Sequence, residues 1–102
     1  MKVLLIGCQG QVGQELVAVL PAIGQLTAWD RTDLDLTQSD QIVPKVVTQQ
    51  PDVIINAAAY TAVDKAEQEP GLARKINGDA PGQLARAAQE CGAHLVHIST
   101  DY

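Results

Sequence analysis

The sequence contains no phenylalanine, and Trp29, Tyr60 and Tyr102 are its only aromatic residues, so any core must be aliphatic. Cations are scarce as well: 7 Lys and Arg stand against 12 Asp and Glu, for a net charge of −5, and they form no cluster. That balance excludes a nucleic-acid groove or an anionic membrane surface as partner, since both are met by a basic patch. It does not exclude a small anionic ligand held by backbone amides. Cysteine is nearly missing, and Cys8 and Cys91 have neither CxxC nor zinc-ligand spacing, which reads as two reduced structural thiols of a cytosolic protein. Long apolar runs are also missing. The start "MKVLLIGCQGQ" stops at Gly7, too short for a signal peptide or a membrane span, and a cytoplasmic location is expected.

What is there is globular. Hydrophobic residues make up 46% of the 102 residues and charged ones 19%, with no low-complexity tract. A chain of this length forms one domain at most and buries roughly two thirds of its unfolded surface.

The spacing predicts strands alternating with helices. Lys2 to Ile6 is an apolar, β-branched run bounded by Gly7, the pattern of a strand buried on both faces. From Gln11 the apolar positions become Val12, Leu16, Val19 and Leu20, a helical stripe ended by Pro21 and Gly24. Gln25 to Asp30 reads as a second strand, and "DLDLT", Asp33 to Thr37, as a brief third. Ile42, Val43, Val46 and Val47 then repeat at helical spacing up to Pro51, although Pro44 costs a backbone hydrogen bond unless it lies in the first turn. "DVIINAAA", Asp52 to Ala59, is a further buried strand. Thr61 to Asp64 has the form of a capping box, opening a helical turn that Pro70 and Gly71 interrupt. A longer helix is expected up to Cys91, with Leu84, Ala85, Ala88 and Cys91 on one side and Gly92 as its C′ residue. "AHLVHIST" closes as a strand. The fold class this order predicts is α/β, a Rossmann-like doubly wound parallel sheet, truncated in extent.

The turn after the first strand is "GCQGQVG", with Gly7, Gly10 and Gly13. Strand, tight glycine turn and helix N-terminus form the context of a dinucleotide site, where free N–H groups and the helix dipole face a pyrophosphate. Gly7 permits the turn, Gly10 lets the backbone approach phosphate, and Gly13 lets the helix lie close on the sheet. Gln11 and Val12 are the expected N–H donors. The same glycines are compatible with an ordinary strand-to-helix turn. Asp30, at the end of the second strand, is placed to accept hydrogen bonds from the adenosine ribose and favours NADH. Arg31 beside it suits a 2′-phosphate, so use of both NADH and NADPH is expected, unless the pair is only an exposed turn. Asp33 to Asp35 reads either as a solvated acidic turn or, at Asp35 and Leu36, as an adenine edge.

With "NAAAYTAVDKAEQEP" at Asn56 to Pro70 and "STDY" at Ser99 to Tyr102, the chain resembles the dTDP-4-dehydrorhamnose reductases, extended short-chain dehydrogenases/reductases. In these the glycine spacing is likewise GxxGxxG. The resemblance runs the length of the chain and implies the N-terminal third or so of such an enzyme, an incomplete NAD(P)-binding Rossmann domain over residues 1–102. The family reduces dTDP-4-dehydro-L-rhamnose at C4 to dTDP-L-rhamnose with NADPH or NADH, in dTDP-rhamnose biosynthesis.

The resemblance also implies roles. Gly10, Gln11 and Val12 match the pyrophosphate loop, Asp30 the ribose-side acid, and Asp35 with Leu36 the adenine-side pair. Ala58, Ala59, Tyr60 and Thr61 match the loop along the nicotinamide half. Small residues suit a strand end against which a flat cofactor lies, although "AAA" alone also suits tight strand packing. Thr100 matches the catalytic hydroxyl residue, and Thr100 with Asp101 the substrate contacts. The family's proton donor is a Tyr of a Y-x-x-x-K motif, with a Lys one helical turn on lowering its pKa. Tyr60 is followed by Asp64 at the fourth position and Tyr102 by nothing, so neither carries that role and the chain alone is expected to be inactive. His94 and His97 read as structural strand residues, and Asn77 as a helix-backbone partner near Pro81.

Partners implied are a dTDP-sugar substrate and a homodimer. Magnesium enters by family resemblance only, since no residue here licenses a metal site. Two other readings remain open at this point. One is a non-catalytic dinucleotide-binding regulatory subunit, related to that of methionine adenosyltransferase; the other is a structural fragment associating through an exposed sheet edge.

Overall fold

The computed structural model describes residues 1–8, 11–30, 32–36, 38–57 and 80–98. Strand β1, Lys2–Ile6, leads to helix α1, Gln11–Val19, a 3₁₀ turn at Leu20–Ala22 and strand β2, Gln25–Trp29. Helix α2, Ser39–Gln49, is followed by β3, Val53–Asn56; helix α3, Ala80–Cys91, leads into β4, His94–His97. The four strands form one sheet in the order β2-β1-β3-β4. All pairings are parallel, with Leu4 opposite Thr27 on one side and Ile54 on the other, and Ile54 opposite Leu95. The α/β, doubly wound class expected from the sequence is therefore the observed one.

Residue alternation in β1 assigns the two faces. Leu4 and Ile6 point into one core with Ile54, Ile42 and Val46 of α2, and Leu84, Ala87 and Ala88 of α3. Val3 and Leu5 point the other way, with Ile55, Leu20 and Ala57, against Leu16 of α1. Both faces of β1 are thus covered, which explains why it reads as a continuous apolar run without alternation. The small side chains of Ala87 and Ala88 let α3 pack closely beside α2.

Several expectations change in detail. Val19 is 59% exposed while Leu20 is buried, because the chain tightens into the 3₁₀ turn at Leu20–Pro21–Ala22 and the shorter turn brings Leu20 onto the sheet. On α3 the buried positions are Ala80, Leu84, Ala87 and Ala88. Ala85 is exposed, one residue's rotation away from the stripe that meets α2. Pro44 lies inside α2 rather than in its first turn. It is tolerated because Pro44 and Asp40 are both exposed, so the carbonyl that loses its helical partner faces water. Helix α2 ends where Gln50, at φ 51°, donates its backbone N–H to Val47 O, and Pro51 follows. Helix α3 ends as expected, at Gly92 with φ 72°, and Ala93 N donates to Ala88 O at 2.8 Å.

"DLDLT" is not a strand among the described residues. The N–H groups of Asp33 and Leu34 turn back to the Asp30 carbonyl at 3.2 and 3.1 Å, so they are consumed locally and offer nothing to a ladder. Leu34 and Leu36 are both buried in the α2–α3 core, which is why the segment alternates like a strand without being one. The second and fourth strands and the one from Asp52 are shorter than expected, ending at Trp29, His97 and Asn56. The capping box Thr61–Asp64, the break at Pro70–Gly71 and Asn77 lie outside the described residues.

Candidate functional site

The strand order reverses between β1 and β3: β1 leads outward to β2, and the chain then crosses back to β3 on the other side. Ligands of open α/β sheets bind at the carboxyl ends of the strands at such a switch point. Here those ends are Ile6–Gly7 and Asn56–Ala57, tied together by Ala57 N donating to Ile6 O at 2.9 Å.

The glycine turn sits on this reversal. Gly7 takes φ 87°, a conformation glycine adopts without steric cost, so the chain leaves β1 sharply. Gly7 N and Cys8 N both donate to Trp29 O, at 3.0 and 3.2 Å, which pins the start of the turn to the end of β2. Gly13 is the closest approach in the site: a Cβ placed there falls 2.1 Å from Gly7 O and 2.8 Å from Cys8 Cα. No side chain fits, so α1 starts flush against the turn. Gln11 and Val12 are the first two residues of α1, where backbone N–H groups have no helical acceptor. These features fit a pyrophosphate held by backbone amides.

Asp30 follows β2 directly and anchors a hydrogen-bonded bracket. Its Oδ1 accepts from Thr32 N at 2.8 Å, Thr32 Oγ1 at 2.6 Å and Asp33 N at 3.2 Å. In return Asp33 Oδ2 accepts from Asp30 N at 3.0 Å, and Lys45 Nζ donates to the Asp33 carbonyl at 3.3 Å. The Thr32 hydroxyl, then its backbone N–H, hold the Asp30 carboxyl below the usual carboxylate range, against a smaller opposing effect of burial. Desolvation first, and the Asp30 charge next, push the Cys8 thiol up, away from the thiolate form. Cys8 and Cys91 are both free thiols.

Asp35 is exposed and Leu36 buried in the core, with Gln38 N donating to Asp35 O at 3.0 Å. Asn56, 1% exposed at the end of β3, lies with Nδ2 3.3 Å from Nδ1 of His97, its register partner on β4. The structure thus brings Gly7, Gly13, Gln11, Val12 and Asp30 to one end of the sheet beside Asn56. Gly10, Arg31, Ala58, Ala59, Tyr60, Thr61, Thr100 and Asp101 lie outside the described residues, as do Ser99 and Tyr102. Thr32 was not singled out by sequence reasoning, and Asp33 entered only as part of an acidic turn. Their signal is D-x-T-D after a strand, an Asx turn whose polar side chains close on one another. Among the described residues, no group of three or more His, Cys, Asp or Glu is placed to hold a metal, and no helix is long and apolar enough to cross a membrane.

A parallel sheet with a glycine turn packed at its switch point and an acid at the end of the neighbouring strand defines the Rossmann-like class of α/β proteins. Within it, the family model described as the RmlD substrate binding domain matches residues 1–102, and the chain belongs to that family. It is 45% identical over 102 residues to a dTDP-4-dehydrorhamnose reductase of Burkholderia thailandensis, covering 100% of this chain and 34% of the relative. Among solved structures, a dTDP-4-dehydrorhamnose reductase of Clostridium acetobutylicum superposes with a TM-score of 0.89 at 43% identity, covering 100% of this chain and 37% of that one. The enzyme of that name from Bacillus anthracis, in complex with NADP, gives 0.86 at 41% identity, covering 99% of this chain and 36% of that one. The chain spans about a third of the length of the curated relatives it matches.

Proposed function

We propose that residues 1–102 are the NAD(P)H-binding part of a dTDP-4-dehydrorhamnose reductase, which reduces dTDP-4-dehydro-L-rhamnose to dTDP-L-rhamnose in the cytoplasm. The observation that carries the reading is the close approach of Gly13 to the Gly7 carbonyl, where a Cβ would fall 2.1 Å away, since it seats the N-terminus of α1, with its N–H groups that have no helical acceptor, at the switch point. The B. anthracis relative, solved with NADP, supports the same reading.

In this reading the N–H groups of Gln11 and Val12 hold the pyrophosphate with Gly10, and Asp30 holds the adenosine ribose. Asp35 and Leu36 border the adenine. Ala58, Ala59, Tyr60 and Thr61 line the nicotinamide half, Thr100 holds the substrate carbonyl oxygen, and Asp101 contacts the sugar. The cofactor supplies a hydride. The chain's own part is to orient it and, through the Thr100 hydroxyl, to polarise the ketone. Residues 1–102 contain no Y-x-x-x-K pair, so they bind the cofactor without reducing the sugar. The reductase descriptions of the relatives favour this over a regulatory subunit. Pairing of two copies belongs to the same proposal.

The test is a fluorescence titration of the purified chain with NADPH and NADH. Saturable binding, lost in Gly13→Ala, is expected. No binding of either at millimolar cofactor would sink the proposal.

A further inference from the structure

The bracket around Asp30 does more than cap a turn. We propose that Thr32 is a positioning residue for cofactor choice: its hydroxyl fixes the Asp30 carboxylate beside the glycine turn, where it accepts from a ribose 2′-hydroxyl and opposes a 2′-phosphate. This rests on the dinucleotide-binding reading above.

Three donors converge on Asp30 Oδ1, and the shortest is the Thr32 hydroxyl at 2.6 Å. A hydroxyl-to-carboxylate bond of that length is charge-assisted and among the stronger hydrogen bonds of a protein surface. Threonine is also the residue type best suited to the task, because its branched Cβ restricts χ1 and therefore the hydroxyl's location. The backbone beneath is held in turn. Asp33 Oδ2 caps Asp30 N, Lys45 Nζ ties the Asp33 carbonyl to α2, and Trp29 O binds the N–H groups of Gly7 and Cys8. The carboxylate is therefore fixed relative to the glycine turn, not merely near it.

Fixing matters because discrimination is a difference between two affinities. A carboxylate that swings away relieves its repulsion of a 2′-phosphate at little cost, and one that is held cannot. Arg31, adjacent in sequence, carries the opposite charge. With Asp30 held, the preference is tipped toward the unphosphorylated ribose; with Asp30 released, it moves toward NADPH.

The experiment measures dissociation constants of NADH and NADPH for the wild-type chain and for Thr32→Val, Thr32→Ser, Asp30→Ala and the Asp30→Ala/Thr32→Val double variant. Thr32→Val should weaken NADH and shift the NADH-to-NADPH preference toward NADPH by about three- to tenfold, the range for loss of an ordinary hydrogen bond, since at this exposed position solvent screens the charge. Thr32→Ser, which keeps the hydroxyl, should retain most of the wild-type preference. In the Asp30→Ala background Thr32→Val should change nothing further, since the effect runs through Asp30. Circular dichroism establishes that each variant folds, and Thr32→Ala gives the same readout should valine not be accommodated. An unchanged preference in Thr32→Val, or the same shift with Asp30 absent, overturns the inference while leaving dinucleotide binding intact. Failure of the wild-type chain to bind either cofactor overturns both.

Discussion

Gly13 and Gly82 are both helical glycines, yet their surroundings make opposite demands. A Cβ on Gly13 meets three backbone atoms, Gly7 O at 2.1 Å, Cys8 Cα at 2.8 Å and Gly7 C at 2.9 Å, none of which yields as a flexible side chain does. A Cβ on Gly82 meets nothing within 4 Å. Gly13→Ala is expected to destabilise by about 2 kcal/mol as α1 is levered off the turn. Gly82→Ala should stabilise by about 0.5 kcal/mol through helix propensity alone. Urea midpoints of the two variants, moving in opposite directions, check both. At Asp30 the same residue-scale reasoning concerns a proton. Because its folded carboxyl lies below its unfolded value, the stability it contributes is present above the ordinary carboxylate range and is lost as pH falls through the folded value. An NMR titration of the Asp30 side chain should find its midpoint below that of a free aspartate. Thr32→Val should move it back up, since the hydroxyl is the leading cause. No movement would mean that the backbone N–H groups suffice.

Elements whose pattern is set by burial were legible, and those set by local polar bonds were not. Strand β1 has its expected bounds because an uninterrupted apolar run has one use in an α/β fold, burial on both faces. Asp33–Thr37 misled because Leu34 and Leu36 alternate into a core while the Asp30 bracket holds the backbone in a turn. Period-two burial does not require a ladder. On α3 the expected Leu84 and Ala88 are buried but Ala87 takes the place of Ala85, since alanine on every side leaves only Leu84 to fix the phase of the stripe. At the site, the glycines announced the turn, whereas the Thr32–Asp33 bracket needed the distances. Between β3 and β4 the informative contact is polar. Asn56 is buried with its amide facing His97 Nδ1 at 3.3 Å, so replacing it leaves polar atoms at the end of two strands without that partner. Asn56→Ala should cost about 1–3 kcal/mol, with hydrogen exchange rising first at the β3–β4 pairs Ile55–Val96 and Asn56–His97. A loss spread evenly over the sheet would instead mark a simple cavity.

For the whole molecule the governing quantity is charge. A net charge of −5 surrounds a site proposed for a dinucleotide that is itself anionic, and Asp30 and Asp33, whose charges act on Cys8 of the glycine turn, add to the same sign. Long-range attraction therefore does not bring the cofactor in. Affinity has to come from short-range donors, the N–H groups at the start of α1, against a repulsive background. These two contributions respond differently to salt. Backbone hydrogen bonds at contact distance are little screened, whereas repulsion from charges a nanometre away is cut as the Debye length falls from about 30 Å at 0.01 M to about 8 Å at 0.15 M. NADPH affinity measured across that range should rise by about twofold. A protein that holds phosphates with a basic patch shows the reverse, a steep loss with added salt. A fall in affinity would assign phosphate binding to Arg31 and its neighbours in place of the helix terminus, and would move the electrostatic centre of the site from the glycine turn to the segment after β2.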